Sequence, residues 1–302
     1  MTFRSGFVSI IGCPNVGKST LVNAFVGQKV AAVSPRPQTT RRRQLGILTT
    51  DAYQIVFVDT PGLHQPRHKL GEFLNQEAEE ALQGVDVVLW LIDAVDGPNE
   101  DDRRVATLLL STRHLPPLVI ALNKIDLLSP DLVTLKLQAC AQIAPGAECF
   151  AISATGGTGR ETLLDALLSK LPEREPEFDE DQITDFYERE IAADLIREAC
   201  LFHLRDEVPH GINIRIDEFT ERGERGAYIA ATVFVERESH KGIVIGEGGS
   251  MLKKIGSAAR VEIEAMSGRK VFLELRVKVE KNWRDDEQAL RRFGYKIEKK
   301  RR

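Results

Sequence analysis

Aromatic residues make up only 6% of this 302-residue sequence, and no run of about 18 apolar residues occurs in it. The second absence excludes a membrane-spanning helix. Cysteine is scarce as well. Cys13, Cys140, Cys149 and Cys200 lack the paired spacing of a metal site, so reduced, mostly structural thiols are expected. Met1 to Ser5 lead directly into an apolar run, so no signal peptide is expected. An excess of one charge is missing too, since 41 basic residues face 45 acidic ones. That balance hides an asymmetry. Residues 1–182 carry 17 basic and 23 acidic side chains, whereas Arg237 to the end carries 18 basic and 10 acidic. A basic terminal block suggests a polyanionic partner. The length suits two domains better than one.

What is present begins with Gly12-Cys13-Pro14-Asn15-Val16-Gly17-Lys18-Ser19, the spacing of a phosphate-cradling P-loop. The apolar run Phe7–Ile11 before it reads as a buried strand, and Leu21, Val22, Ala24 and Phe25 after it begin a helical pattern. Backbone amides of such a loop point at a β-phosphate, and the helix N-terminus adds positive potential. Gly12, Asn15, Val16, Gly17, Lys18, Ser19 and Thr20 are therefore the expected nucleotide contacts. Lys18 would reach the β- and γ-phosphates, and the Ser19 hydroxyl would hold Mg²⁺.

Three further motifs follow in order. Asp59-Thr60-Pro61-Gly62 closes the run Ile55–Val58, which places Asp59 to bind Mg²⁺ through water. Gly62 could give its N–H to a γ-phosphate, because the missing Cβ allows close approach. Asn123-Lys124-Ile125-Asp126 follows the run Leu118–Leu122 and selects a base. Guanine offers two N–H donors to one carboxylate, whereas adenine would leave a buried Asp126 unpaired, a mismatch worth about 10⁴-fold. Asn123 would tether the P-loop, and the Lys124 stem would cover the purine ring. Ser153-Ala154 would supply an N–H to the guanine O6. Between P-loop and Asp59, the polar segment Ser34–Arg43 reads as a mobile loop. Thr40 in it, or alternatively Thr39, would bind Mg²⁺ and the γ-phosphate. Lys18, Thr40 and Gly62 are thus the expected catalytic set.

These motifs together resemble the translation-factor-like GTPases with a Thr-Thr-Arg switch loop. Members of that group commonly carry a hydrophobic residue where a water-positioning glutamine could stand, and Leu63 occupies that place. An aliphatic side chain cannot orient water by hydrogen bonding, so hydrolysis needs other assistance. In related families a P-loop asparagine helps hold K⁺ beside the phosphates, and Asn15 stands at that position.

Strand-like segments at 6–11, 46–50, 53–59, 86–92, 117–122 and 148–152 alternate with helical patterns near 18–27, 69–82, 100–113, 131–143 and 160–170. That alternation predicts an α/β fold with a mostly parallel six-stranded sheet, in which 46–59 forms an antiparallel edge hairpin. The acidic, two-proline stretch Leu171–Asp181 breaks the pattern. The expected division is a GTP-binding domain over 1–173, a linker over 174–184 and a smaller α+β domain over 185–302.

In the second part, Phe186–Leu204 carries a helical stripe of Ile191, Leu195, Ala199 and Phe202. Two alternating segments follow, Asn213–Phe219 and Ala227–Val235, joined by a hairpin loop over 221–226. Next come a Gly-X-X-Gly turn at Gly246–Gly249, a helix, and the strand Val271–Val279. The order resembles a type II KH domain. Glycines in the turn let the backbone approach a sugar-phosphate chain. The expected RNA contacts are Lys241, Ile243, Val244, Ile245, Gly246, Gly248, Gly249, Lys253 and Lys254. Glu247 departs from the KH pattern, because an acidic side chain in the turn repels phosphate. The surrounding lysines must outweigh it, so affinity should depend strongly on salt.

A P-loop GTPase followed directly by a type II KH domain resembles the Era family of bacterial ribosome-assembly GTPases, and Trp283–Tyr295 is similar to that family's C-terminal segment. The resemblance spans nearly the whole chain. It implies GTP/GDP and Mg²⁺ as ligands, binding near the 3′ end of 16S rRNA, and a role in maturation of the small (30S) ribosomal subunit. It also implies a cytoplasmic protein, expected as a monomer, with peripheral association with the inner membrane. The tail Lys299–Arg302 could serve RNA or anionic lipid, or be only a solvated end. Three competing readings are a metabolic kinase or ATPase, which Asp126 opposes, a GTP-dependent RNA-binding scaffold with negligible hydrolysis, which Leu63 permits, and a DNA-binding KH module.

Overall fold

The computed structural model describes residues 2–295 apart from Pro35, Arg222, Glu224 and Arg225. The chain divides into two compact units. The first comprises Met1–Ala31, Thr40–Gln65 and Leu74–Asp185, and the second Ala32–Thr39, Pro66–Phe73 and Phe186–Arg302. The basic tail 299–302 and part of the 221–226 loop lie outside the described residues.

The first unit holds a six-stranded sheet in the order β2-β3-β1-β4-β5-β6. Its strands are β1 (Arg4–Ile11), β2 (Gln44–Thr49), β3 (Tyr53–Asp59), β4 (Val87–Asp93), β5 (Leu118–Asn123) and β6 (Glu148–Ala151). All pairings are parallel except β2 with β3, which form the expected edge hairpin. The four central strands are near-continuous Val/Ile/Leu runs, as strands covered on both faces must be. Val8, Ile10, Ile55, Phe57, Leu89, Trp90, Leu91, Ile120 and Ala121 are fully buried among them. The unit's helices are α1 (Lys18–Val26), α3 (Glu100–Ser111), α4 (Pro130–Ile143) and α5 (Arg160–Lys170), together with the part of α2 (Lys69–Glu80) from Leu74 onward. Asn99 caps α3 in a reciprocal box with Asp102, satisfying amides that the first turn would otherwise leave bare. Polar residues end three strands at one edge, Asp59, Asp93 and Asn123, and Asp93 lies opposite Asn123 in register.

The stretch 174–184, expected as a linker, folds onto the first unit. Phe178 packs edge-on against Phe7, and Gln54 bonds the Glu177 and Phe178 backbone. Ile47 N–H reaches the Ile183 carbonyl at 2.8 Å, so the strap pairs with a backbone group of the edge strand β2. The acidic composition was misleading because the strap is held by backbone groups and two phenylalanines.

The second unit contains α6 (Glu188–His203), β7 (Asn213–Glu221), β8 (Ala227–Val235), α7 (Glu238–Ile245), α8 (Ser250–Ser267), β9 (Val271–Val279) and α9 (Glu287–Arg292). The sheet order is β7-β8-β9, with β7 and β8 antiparallel and β8 and β9 parallel. The parallel pair needs a crossover, which α7 and α8 supply. Alternate residues of β8, Ile229, Ala231 and Val233, meet Ile191 and Leu195 of α6 and Ile255, Ala259 and Ile263 of α8 in one core. Phe202 does not join this stripe. It is 69% exposed, and Cys200 and Leu204 are buried in its place. Val33, Ser34 and residues 36–39 also lie in this unit and are held rather than loose. Glu198 accepts the Val33 N–H, Arg36 donates to the Leu201 and Leu204 carbonyls at 2.7 Å, and Arg197 donates to those of Gln38 and Thr39.

Candidate nucleotide site and RNA interface

In the first unit, β1 ends where the P-loop begins. Gly12 and Gly17 adopt φ of +151° and +100°, where a side chain would be strained. Space is equally restrictive. A Cβ on Gly17 would lie 2.4 Å from Asn123 Nδ2, and one on Gly62 would lie 2.6 Å from Pro14. The Lys18 ammonium donates to the Gly12 and Cys13 carbonyls at 3.1 and 2.9 Å. Burial lowers its pKa to about 8, and the Asp59 carboxylate opposes that shift. Burial conversely raises that of Asp59.

Three oxygen-bearing side chains converge beside Lys18. Ser19 Oγ lies 2.6 Å from Asp59 Oδ2 and 2.9 Å from Thr40 Oγ1, and Thr40 Oγ1 is 3.3 Å from the same carboxylate oxygen. Thr39 does not share this cluster, since its hydroxyl bonds Ser34 and the Arg36 carbonyl. The second Asp59 oxygen, Oδ1, is buried without a hydrogen-bond partner. Two hydroxyls and a carboxylate with an unsatisfied oxygen suit a hard cation that draws its remaining ligands from phosphate and water. No cluster of three or more His, Cys, Asp or Glu side chains suited to a metal exists among the described residues.

At the base end, Asn123 joins two loops. Its Nδ2 donates to the Val16 carbonyl at 2.8 Å, and its Oδ1 accepts the Ala154 N–H at 2.9 Å. The Ser153 N–H goes to the Thr158 carbonyl. The Ser153 amide is therefore engaged within its loop and the Ala154 amide by Asn123, so the N–H expected from this pair for a purine oxygen already has a partner. Asp126 departs as well: it is exposed on a short 3-10 turn, Ile125–Leu127, so burial of its carboxylate would have to come from a base. Leu63 is 7% exposed in the apolar core, and its N–H donates to the Gly12 carbonyl. Its side chain serves packing.

In the second unit the glycine turn links α7 to α8. Gly246, Gly248 and Gly249 have φ of +73°, +57° and +81°. A Cβ on Gly248 or Gly249 would meet no atom within 4 Å. Ile243, Lys253 and Lys254 are exposed, and Lys241 and Ile245 are half-buried. Val244 is a correction. It is fully buried among Ile255, Ala259 and Val233, so it is a core residue and cannot meet a base. Helical spacing turns it inward between two outward-facing neighbours. The open edge of β9, with half-buried Leu273, Leu275 and Val277, supplies apolar surface that the motif reading missed.

Comparison with known proteins agrees with both halves. Residues 7–124 match the family model described as a 50S ribosome-binding GTPase, and residues 207–284 match the KH domain. The GTPase Era of Geobacter metallireducens is 46% identical over 294 residues, covering 97% of this chain and 98% of its own length. That of Caldanaerobacter subterraneus is 44% identical over 300 residues, covering 99% and 100%. The chain belongs to the Era GTPase family. It is thus a GTP-hydrolysing enzyme with a P-loop GTPase domain and a C-terminal KH domain. A crystal structure of Era with MgGDPNP and nucleotides 1506–1542 of 16S ribosomal RNA superimposes with a TM-score of 0.92 at 38% identity, covering 98% of this chain and all of that one. An Aquifex aeolicus Era variant bound to GDP·AlF4⁻ matches equally well.

Within the Era frame, one polar residue escaped the motif search. Asp93 ends β4 as Asp59 ends β3, and its carboxylate pairs with Lys124 at 2.5 Å. The signal was available, since Asp93 closes an apolar run in the same way. No recognised dipeptide marks it.

Proposed function

We propose that this chain is a GTP-driven switch that binds 16S rRNA near its 3′ end and assists assembly of the small (30S) ribosomal subunit. The convergence of Ser19, Thr40 and Asp59 beside Lys18 carries the catalytic half of this reading. Those three side chains would hold Mg²⁺, Asp59 through water, and Mg²⁺ would neutralise charge on the transferring phosphoryl group. Lys18 would leave the loop carbonyls for the phosphates, and Gly62, close against Pro14, would offer its N–H to the γ-phosphate. Asn123, Lys124 and Asp126 would bind guanine, with Ser153-Ala154 closing the pocket. Asn15, exposed in the P-loop at φ +65°, would help hold K⁺.

The RNA half rests on the open glycine turn and the lysines around it, and the solved relative in complex with 16S RNA supports it. Lys241, Ile243, Ile245, Gly246, Gly248, Gly249, Lys253 and Lys254 are the contact set. A cytoplasmic monomer with peripheral contact to an anionic membrane rests on the family resemblance. No helix among the described residues is long and apolar enough to cross a membrane.

Phosphate release from GTP and from ATP, measured with the full chain and Mg²⁺ in KCl and in NaCl, tests the enzyme half. GTP alone should turn over, Asp126→Asn should move the preference to xanthosine triphosphate, and KCl should give the faster rate. Equal use of ATP overturns the base assignment, and equal rates in the two salts remove Asn15 from its role.

A further inference from the structure

Lys124 is a non-glycine residue held at φ +70°, ψ +32°, as the residue that opens the 3-10 turn Ile125–Leu127. That conformation is disfavoured for a side chain carrying a Cβ and persists only where the surroundings fix it. Backbone bonds hold the turn, the Leu127 N–H donating to the Lys124 carbonyl and the Ile125 N–H to the Ile152 carbonyl, and the lysine side chain has an anchor of its own. Lys124 Nζ lies 2.5 Å from Asp93 Oδ2, with the aspartate side chain only 13% exposed. Asp93 is itself oriented in advance. Its Oδ1 accepts the Val95 N–H at 2.9 Å, and its carbonyl accepts that of Gly97 at 2.8 Å. Ala94 N–H binds the Asn123 carbonyl, and Lys136 of α4 donates to the Gly97 carbonyl at 2.6 Å, so the 94–97 turn is anchored on both sides.

We propose that Asp93 is a positioning residue for purine binding: by pinning the Lys124 ammonium, it stretches the lysine stem across the face of the base. The inference rests on the nucleotide-site reading above. The Lys124 stem carries four methylenes and could sample many rotamers; a charged partner at its tip removes that freedom before the nucleotide arrives. The aliphatic stem then meets the purine as a preset apolar wall, and the ordering cost falls outside the binding step. A wall against the ring face reads no edge. Asp93 should therefore tighten guanine and hypoxanthine nucleotides alike, whereas Asp126 should separate them.

The test is dissociation of fluorescent GDP, IDP and XDP from the full-length protein with Mg²⁺, for wild type, Asp93→Asn, Lys124→Ala and the double variant, with Asp126→Asn as control. Asp93→Asn should speed release of GDP and IDP by the same factor, about tenfold, which is the scale of a lost charge-assisted hydrogen bond. In the Lys124→Ala background, Asp93→Asn should add nothing. A general loosening of the 94–97 turn would instead persist in that background, so an additive double variant overturns the proposal, as does a wild-type release rate in Asp93→Asn. The control separates the two readings. If Asp126→Asn fails to shift preference toward xanthine, the base site itself is misassigned. If it shifts and Asp93→Asn stays silent, only the positioning role falls.

Discussion

The two glycine-rich turns of this chain use the same residue for opposite reasons. In the first unit the glycines are pressed against protein. A Cβ on Gly12 would sit 2.3 Å from the Leu91 carbonyl oxygen, and one on Gly17 2.4 Å from Asn123 Nδ2. In the second unit Gly248 and Gly249 face open space, and only their positive φ calls for glycine. The P-loop is thus shaped by the fold around it before any nucleotide binds. At Gly248 and Gly249 the KH turn is left open and keeps its backbone accessible to a partner, whereas a Cβ on Gly246 would lie 2.8 Å from Met251. One site is preorganised by packing, the other by the absence of packing.

The contrast breaks first at Gly17. An alanine there must displace Asn123, which holds both the Val16 carbonyl and the Ala154 amide. Two buried hydrogen bonds and a strained backbone should together cost about 3 kcal/mol of stability. Loss of loop geometry should also weaken GDP binding by about 100-fold or more. Thermal melting and calorimetric titration of Gly17→Ala measure both. A variant that melts with wild type and holds GDP normally would show that the P-loop is not set by its protein neighbours.

Gly248 sharpens the other half. Aspartate tolerates left-handed backbone better than most residues, and nothing crowds the position, so Gly248→Asp should cost under about 1 kcal/mol. A carboxylate beside Glu247 should nonetheless repel phosphate and weaken RNA binding by about tenfold at low salt. The loss should shrink as salt is raised, because added ions screen the repulsion. Melting temperature falling as far as for Gly17→Ala would erase the distinction between the turns.

The same contrast explains what could be read from the sequence. The mostly parallel sheet and the edge hairpin were legible because buried parallel strands leave unbroken apolar runs, and Asp59 and Asn123 stand where those runs stop. Asp93 stands at such an end too, yet no motif names it, and only the ion pair with Lys124 reveals it. The engagement of the Ala154 amide was hidden because it depends on Asn123, 31 residues away. Val244 was misplaced for a local reason. Ile243-Val244-Ile245 reads as a uniform apolar patch, and only helical phase separates the buried residue from its neighbours. The strap over 174–184 was obscured by its charge, since its attachment runs through backbone groups that composition does not report.

That helical phase yields the smallest and sharpest test. Val244 is fully buried, whereas Ile243 is half exposed one position away. Val244→Ala removes two methyl groups from a packed core and should cost about 2 kcal/mol, read as a lower melting temperature, with RNA affinity of the folded fraction unchanged. Ile243→Ala removes surface that water already reaches, so stability should move by less than about 0.5 kcal/mol. If Ile243 packs on an unstacked base, RNA affinity should fall by only about threefold to tenfold, the scale of one partly buried aliphatic contact. The two alanines should therefore separate cleanly, one on the melting axis and the other on the binding axis. Equal loss of RNA affinity in both would mean that α7 is turned differently when RNA is bound, and the fixed face that this structure gives it would not be the one the RNA meets.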